Sequence, residues 1–510
     1  MKFYALSVLL SVLIAGVLSA CHEKKENTNT HIQSEDLAEW NAEEYSLYSR
    51  KIREEIHSLR LMPSQMYADS YARRYYADNA PFLWITRSGV DERADTLLAY
   101  LRNHPATGLS ETAFHISEIQ DCLQRIRQLA FDDRNDINTV FGRAEFLLTQ
   151  TYLRYACGQR FGYIRPSMLF NRLEKSDTTK NAPFVQLYDI ETENADEEFV
   201  QRALSALQDD RLGDFLLDIQ PQSPLYLKME EAYRQANDQT SLRKIAANIE
   251  RSRWRTPQPE GKHVWVNLAA ATLQATDEDG HTALDMKICI GSKQHKTPML
   301  HSRIERADLN PYWNVPYSII KKEIAPRHAG DVDYFERNHY RIFDKESGEE
   351  MPPADVTAAM LASGNYKVRQ DNGDGNSLGR LIFRFRNNFS IFLHDTNNKQ
   401  AFKRKNRAIS HGCVRVEKPL ELAIFLLPAP DERIVEKLET AIGLSRDGQP
   451  APPDTGEGEP RIESGRQSFE PPVPLFIEYY TIYPRKTGGW DEFPDPYGYD
   501  ELLVKKLEGI

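Results

Sequence analysis

The apolar residues of this 510-residue chain change their period near His263, and that change limits the fold more than composition does. Upstream, apolar side chains recur every three or four residues. Phe141, Ala144, Leu148, Tyr152 and Tyr155, with Asp136 placed as an N-cap, predict an amphipathic helix running to about Ala156. Weaker versions of the pattern fall at 93–102, 117–129 and 198–207. Downstream the period is two. Val264, Val266 and Leu268 make one strand face and Leu284, Met286, Ile288 and Ile290 another, with Asp279-Gly280 turning between the two segments. The length also exceeds one ordinary domain. The reading is a multidomain α+β chain: an all-α domain over 45–235, a linker helix at 236–258 and a mostly β, sandwich-like domain over 259–442.

The β half carries the chemistry, in Ser410-His411-Gly412-Cys413-Val414-Arg415-Val416 and, upstream, His394-Asp395-Thr396. A free thiol titrates near pH ~8.5 and attacks as the thiolate, so it needs a base, and His394 is the candidate. Phe383 and Phe385 alternate with Arg384 and Arg386; after Asn387-Asn388, Phe389, Ile391 and Leu393 alternate with Ser390, Phe392 and His394. That is a hairpin with Leu393 on the packed face and His394 on the face that can meet a cleft. Gly412 removes a side chain beside the thiol, which would let a carbonyl approach the N–H groups of Gly412 and Cys413 as oxyanion donors. Pro419 then opens an apolar helical run to Leu427, so Cys413 falls at a loop-to-strand junction. The cluster reads as cysteine acyl transfer; the alternative is a structural cysteine. No metal is implied, because His394 and His411 lack companions at ligand spacing.

Ser410-His411-Gly412-Cys413 with an upstream His394 resembles the signature of the YkuD-type L,D-transpeptidases, cysteine enzymes that cross-link bacterial peptidoglycan. Asn310-Pro311-Tyr312-Trp313-Asn314-Val315-Pro316, Asn376-Ser377-Leu378-Gly379 and the stretch 246–254 resemble the large subgroup with a helical scaffold domain, which makes 45–235 that scaffold. The resemblance implies that Cys413 attacks the carbonyl after the third residue of a peptidoglycan stem peptide, with His394 as base and Ser410, His411 and Gly412 forming the active-site loop. It implies release of D-alanine, capture of the thioester by the side-chain amine of a neighbouring diamino acid, no cofactor, and acylation by carbapenems. Arg415 is read as a carboxylate binder, with a solvated surface arginine as the alternative. Trp313 either lines the cleft or packs beside two prolines. Phe392 stands where relatives often have Tyr, and Asp395 and Thr396 flank the base on the substrate side. In the family a backbone carbonyl commonly orients the histidine, so Asp395 is not assumed to complete a triad and its side chain can instead fix the loop.

Residues 321–372 break the strand pattern and match the position of the subgroup's capping insertion. Fewer than twenty-five residues separate Met229 from Ala246, which leaves no room for the peptidoglycan-binding module of several relatives. The loop with Gly373, Gly375 and Gly379 lacks a following Lys-Ser/Thr pair and is a poor phosphate cradle. Residues 443–468 read as a surface loop, and 469–510, with alternating Val473, Leu475 and Ile477, as a segment packing back on the protein. Three rival activities stay open: L,D-carboxypeptidase, attachment of a protein to the wall, and a non-catalytic wall-binding lipoprotein.

Net charge is −11 with no basic block, so nucleic acid is excluded as a partner. Residues 1–20 read as a signal peptide, with Lys2, an apolar stretch over 6–18 and small residues Ser19 and Ala20 before Cys21. The pattern resembles a lipobox, which implies lipidation of Cys21 and a membrane anchor; plain secretory cleavage is the alternative. A polar, disordered tether is expected over 21–44, and the location is the cell envelope, facing the periplasm, with His22 favouring the outer membrane. An oxidising compartment permits a Cys122–Cys157 bridge, the alternative being small buried hydrophobes.

Overall fold

The computed structural model describes residues 41–510 except 43–44, 65, 87–88, 104–107, 176–182, 332, 374, 430, 444–464 and 486–488. The signal peptide, Cys21, nearly all of the tether and most of the 443–468 loop therefore lie outside the described residues. Among those described, no helix is long and apolar enough to cross a membrane. The chain divides into two compact units: residues up to Tyr163 with Ala195–Gln220, and Ile164–Asn194 with Pro221–Gly509.

The first unit is helical and built on α1 (Ile137–Phe161). Asp136 caps it, its side chain accepting from the N–H groups of Asn138 and Thr139. The helix runs five residues past Ala156 and is buried on nearly every face rather than on one stripe. It is thus a central rather than an amphipathic helix, and its polar residues must find partners inside. Glu145, fully buried, accepts from the Tyr76 hydroxyl at 2.5 Å and from the N–H groups of Leu83, Trp84 at 2.9 Å and Ile85 at 3.0 Å. Burial raises its carboxyl above the usual range, while these donors pull the other way. Glu145→Ala would orphan four donors at ~1–3 kcal/mol each, so we expect a loss of at least ~3 kcal/mol in urea unfolding. An unchanged midpoint would contradict this.

Cys122 and Cys157 are buried, and neither is in a disulfide. Cys122 packs against Val140 and Ala144, whereas Cys157 lies 13 residues beyond Ala144 on α1, a rise of roughly 20 Å. No disulfide spans that separation.

Residues 164–194 and 221–235, inside the span expected for the all-α domain, pack with the second unit. Phe170 stacks with Tyr188 and meets Trp254 and Tyr499, and Asn171 bonds to Leu187 and Tyr188. These contacts hold β1 (Tyr188–Asp189) parallel to Met299 and Leu300. The linker helix is likewise a core element: α2 (Gln239–Arg253) buries an Arg251–Asp500 pair at 2.6 Å and an Asn248–Thr481 bond at 2.7 Å.

The main sheet uses β2 (His263–Asn267), β3 (Thr272–Thr276), β4 (Thr282–Gly291), β5 (Met299–Leu309), β6 (Leu381–Phe385), β7 (Leu393–His394), β8 (Val414–Val416) and β9 (Gly465–Glu478). Its order is β6-β7-β8-β4-β3-β2-β9-β5, and β5 pairs again with β6, so the ladder closes on itself. Closure leaves none of these eight strands as an edge. Two sequence expectations need correction. The Asp279-Gly280 turn joins β4 to β3, a strand missed because its buried face is Leu273 and the small Ala275. The hairpin after Asn387-Asn388 pairs only at Leu393 and His394, because Ser390 takes φ +55° and the loop 389–392 swings off the ladder.

Between β5 and β6 sits a lobe with its own four-stranded sheet: Trp313–Asn314, Tyr366–Gln370, Tyr340–Asp344 and Glu350–Met351. Its core contains Ile320, Phe335, Ile342, Leu361 and Val368. The lobe therefore begins at Trp313, upstream of the expected 321, because Trp313 pairs with Gln370 and Val315 joins that core.

Candidate active site

β7 and β8 run parallel, with Leu393 opposite Val414 and His394 opposite Arg415. Leu393 and Val414 are fully buried in the core. By strand alternation His394, Cys413 and Arg415 face the other way, and all three line one cavity of about 520 Å³. Phe392 shares that face, edge-on to the His394 ring at 5.6 Å and covered by the Arg384 guanidinium at 4.6 Å. Trp313, Lys322 and Glu323 of the lobe also line the cavity.

Cys413 follows a tight loop. Gly412 has φ +111°, and a Cβ there would meet nothing nearer than Ile391 at 3.8 Å. The requirement for glycine is conformational rather than steric. Gly412→Ala is expected to keep the fold but slow Cys413 acylation roughly 10- to 100-fold, matching a ~1–3 kcal/mol backbone penalty. Acylation by a carbapenem at the unaltered rate would exclude that role. The loop is tied down from behind: Thr297 Oγ1 donates to the Gly412 carbonyl at 2.8 Å, and Tyr497 bonds to the Thr297 N–H at 3.1 Å and the Gly291 carbonyl at 2.8 Å. Ser410, buried, donates to the Cys413 carbonyl at 2.5 Å and accepts the Gly412 N–H at 3.3 Å. The Gly412 N–H is thus engaged by a hydroxyl. Of the two expected oxyanion donors, the Cys413 N–H alone is uncommitted among the described residues.

Burial pushes the Cys413 thiol up to about 11, against the Phe392 N–H and the charges of Arg384 and Arg415, which favour the thiolate. Burial, then the nearby Arg415 charge, pulls His394 down to about 3; backbone carbonyls of Asp395 and Leu378 oppose this, yet Nδ1 has no partner at full hydrogen-bond geometry. At neutral pH the pair is a thiol and a neutral imidazole. The imidazole is in the form that accepts a proton, and the thiolate arises only as the proton moves. Arg415 is half-buried, makes no ion pair among the described residues and leaves its Nε unbonded. It is therefore not a solvated surface arginine, and burial lowers its pKa.

Asp395 and Thr396 do not reach the cavity. Asp395 is buried, accepts the Arg380 N–H at 2.8 Å, pairs with Lys399, and fills the space a Cβ at Gly379 would take. Thr396, also buried, accepts the Asn398 N–H at 3.1 Å. Both fix the loop that leaves β7 rather than meet a substrate. His411 is exposed, pairs with Glu323 of the lobe and contacts the His295 ring at 4.9 Å. Sequence reasoning missed Arg384, His295, Glu323, Thr297 and Tyr497. Arg384 had a signal, since it alternates with Phe383 and Phe385; the others come from segments with no local pattern pointing to the site.

Two family matches agree with this architecture. The YkuD family, described as an L,D-transpeptidase catalytic domain, matches residues 261–435, and the Scaffold domain family matches 69–232. A curated Haemophilus influenzae protein named "Putative L,D-transpeptidase" is 29% identical over 318 residues, which cover 61% of this chain and 60% of that relative. The chain thus matches less than two thirds of the relative's length. Two solved structures overlap only slightly: an Ldtfm-avibactam carbamoyl enzyme, at 11% identity, 43% of this chain, 49% of the other and a TM-score of 0.18; and L,D-transpeptidase 3 from Mycobacterium tuberculosis, at 9%, 32%, 57% and 0.17. The chain carries a YkuD-family L,D-transpeptidase catalytic domain, within which Cys413 and His394 lie, together with a Scaffold domain.

Proposed function

We propose that this protein is a peptidoglycan L,D-transpeptidase working through a thioester on Cys413. The observation that carries the reading is one cavity lined by the half-buried Cys413 thiol, the His394 imidazole and an Arg415 guanidinium that makes no ion pair among the described residues. Cys413 attacks the carbonyl after the third residue of a donor stem while its proton passes to His394, which returns it to the departing D-alanine nitrogen. The Cys413 N–H faces the developing oxyanion. Arg415 takes a substrate carboxylate, a role favoured by its unbonded Nε and by the absence of an ion pair to it among the described residues. The amine of a neighbouring diamino acid then captures the acyl group and joins two third residues. The lobe over the cavity limits water, which favours the amine over hydrolysis. In the same reading the chain is a lipoprotein held at the envelope through Cys21 and facing the periplasm.

The test is incubation of the full protein with purified disaccharide-tetrapeptides. Mass spectrometry should find 3–3 cross-linked dimers and, with a carbapenem, a covalent adduct on Cys413 that Cys413→Ala abolishes. Tripeptides without dimers would make it an L,D-carboxypeptidase. No adduct and no turnover would favour a wall-binding protein.

A further inference from the structure

The cavity has a second pole. On the helical segment 317–330 of the lobe, Glu323 pairs through Oε1 with Nε2 of His411, and its Oε2 lies 3.9 Å from Arg327. Among the described residues Glu323 is the only carboxylate lining the cavity, whereas Lys322, Arg327 and Arg415 are its lysine and arginine lining residues. The pKa of the His295 ring beside His411 is lowered, first by burial and then by its neighbours His411 and Lys322, with Glu323 opposing. The His411 and Glu323 side chains keep 39% and 32% exposure, so a proton gathered there can pass to water.

A cross-linking site of this kind must do something a hydrolase need not. An alkyl ammonium titrates near pH ~10.4, so an acceptor arrives at neutral pH as a cation and must lose a proton before it can attack. Among the described residues that line the cavity, Glu323 is the one side chain whose charge attracts it. Resting on the transpeptidase reading above, we propose that Glu323 and His411 form the acceptor half of the site: Glu323 receives the ammonium of the second stem peptide and His411 takes its first proton. The neutral nitrogen then bonds to the thioester carbon as the C–S bond breaks. Its second proton passes through His394 to the departing Cys413 sulfur, while the first leaves from His411 to solvent. The products are an amide, a restored thiol and one released proton. Glu323 acts as a positioning residue, and His411 as the group that meets the acceptor.

The experiment follows the two half-reactions separately in the full chain, with disaccharide-tetrapeptide as donor and either a diaminopimelate-containing stem or hydroxylamine as acceptor. Hydroxylamine is already neutral at pH 7 and needs no first deprotonation. Glu323→Gln should form the acyl-enzyme within about threefold of the wild-type rate, yet lower the ratio of dimer to hydrolysed tripeptide by at least about tenfold and raise the KM for the diamino acceptor. Transfer to hydroxylamine should persist, and His411→Gln should lose transfer to the diamino acceptor by more than it loses transfer to hydroxylamine. An unchanged dimer-to-tripeptide ratio would overturn the proposal. So would an equal loss with both acceptors, which would mark a structural role. If the wild-type protein forms no acyl-enzyme, the transpeptidase reading falls and takes this proposal with it; normal acylation with an unaltered ratio sinks this proposal alone.

Discussion

His394→Ala is expected to slow acylation of Cys413 by about 10²- to 10⁴-fold, the usual worth of a positioned general base. The pH dependence makes the expectation specific. With His394 depressed to about 3 and Cys413 raised to about 11, the free protein stores no thiolate–imidazolium pair at neutral pH. The acylation rate of the wild type should therefore show no acid limb near pH ~6.5, the ordinary histidine value, since the base stays neutral far below it. Iodoacetamide, which reports thiolate alone, should alkylate Cys413 faster with each rise in pH up to about 11. A plateau near neutrality would mean a preformed ion pair and would defeat this account. Stability follows the same sign. A histidine whose folded pKa is depressed supports the fold above its unfolded value of ~6.5, and that support is lost as pH falls toward the folded value. His394→Gln should flatten this part of an acid-unfolding curve.

The placement of Cys413 and His394 on one cavity was legible because its signals are local. Ser410 to Val416 spells a loop-to-strand junction with a thiol at its mouth, and the parity of Leu393 and His394 already assigns the imidazole to the open face. What parity does not reveal is how far a strand remains paired. The segment 389–392 alternates perfectly on paper, yet Ser390 at φ +55° lifts it off the ladder, and Phe392 lines a cavity instead of extending a hairpin. Likewise β3 was hidden because alanine fills half of its inner face.

Long-range partners were not legible at all. Glu323 and His411 stand 88 positions apart, and Tyr497 and Gly291 stand 206 apart. Nothing in either local pattern distinguishes these residues from ordinary lobe and tail side chains. The packing partners of the helical half were hidden for a related reason. Helical periodicity reports that a segment buries a face, not which body it buries it against, so Phe170 and α2 look the same in sequence whether they join the first unit or the second. Asp395 shows the converse. Adjacent to the base, it invites a triad, and only its bonds to Arg380 and Lys399 reveal a loop clamp.

Deleting residues 465–510 is expected to destroy the β unit rather than trim it. In sequence the tail reads only as a segment packing back on the protein, after a stretch rich in Pro, Gly and acidic residues, but β9 lies between β2 and β5. It runs parallel to β2 from Leu475 to Glu478 and antiparallel to β5 from Gly465 to Ile477, with a register shift between Ser468 and Val473. Phe469, Val473, Leu475 and Ile477 are all buried to within 4% of fully. At ~1.5–3 kcal/mol per fully buried side chain these four alone contribute roughly 6–12 kcal/mol, comparable to the whole stability of an ordinary domain. The deletion also opens two long unpaired edges in a ladder that was closed, which favours aggregation. It further removes Tyr497, which braces Thr297 beneath the Gly412 carbonyl, so even a surviving fold would hold Cys413 loosely. The truncated chain should lose its cooperative unfolding transition, bind a hydrophobic dye and form no carbapenem adduct. A soluble truncated protein that still acylates at Cys413 would show that the site is held by the other seven strands, and that the tail's position in the sheet is incidental to it.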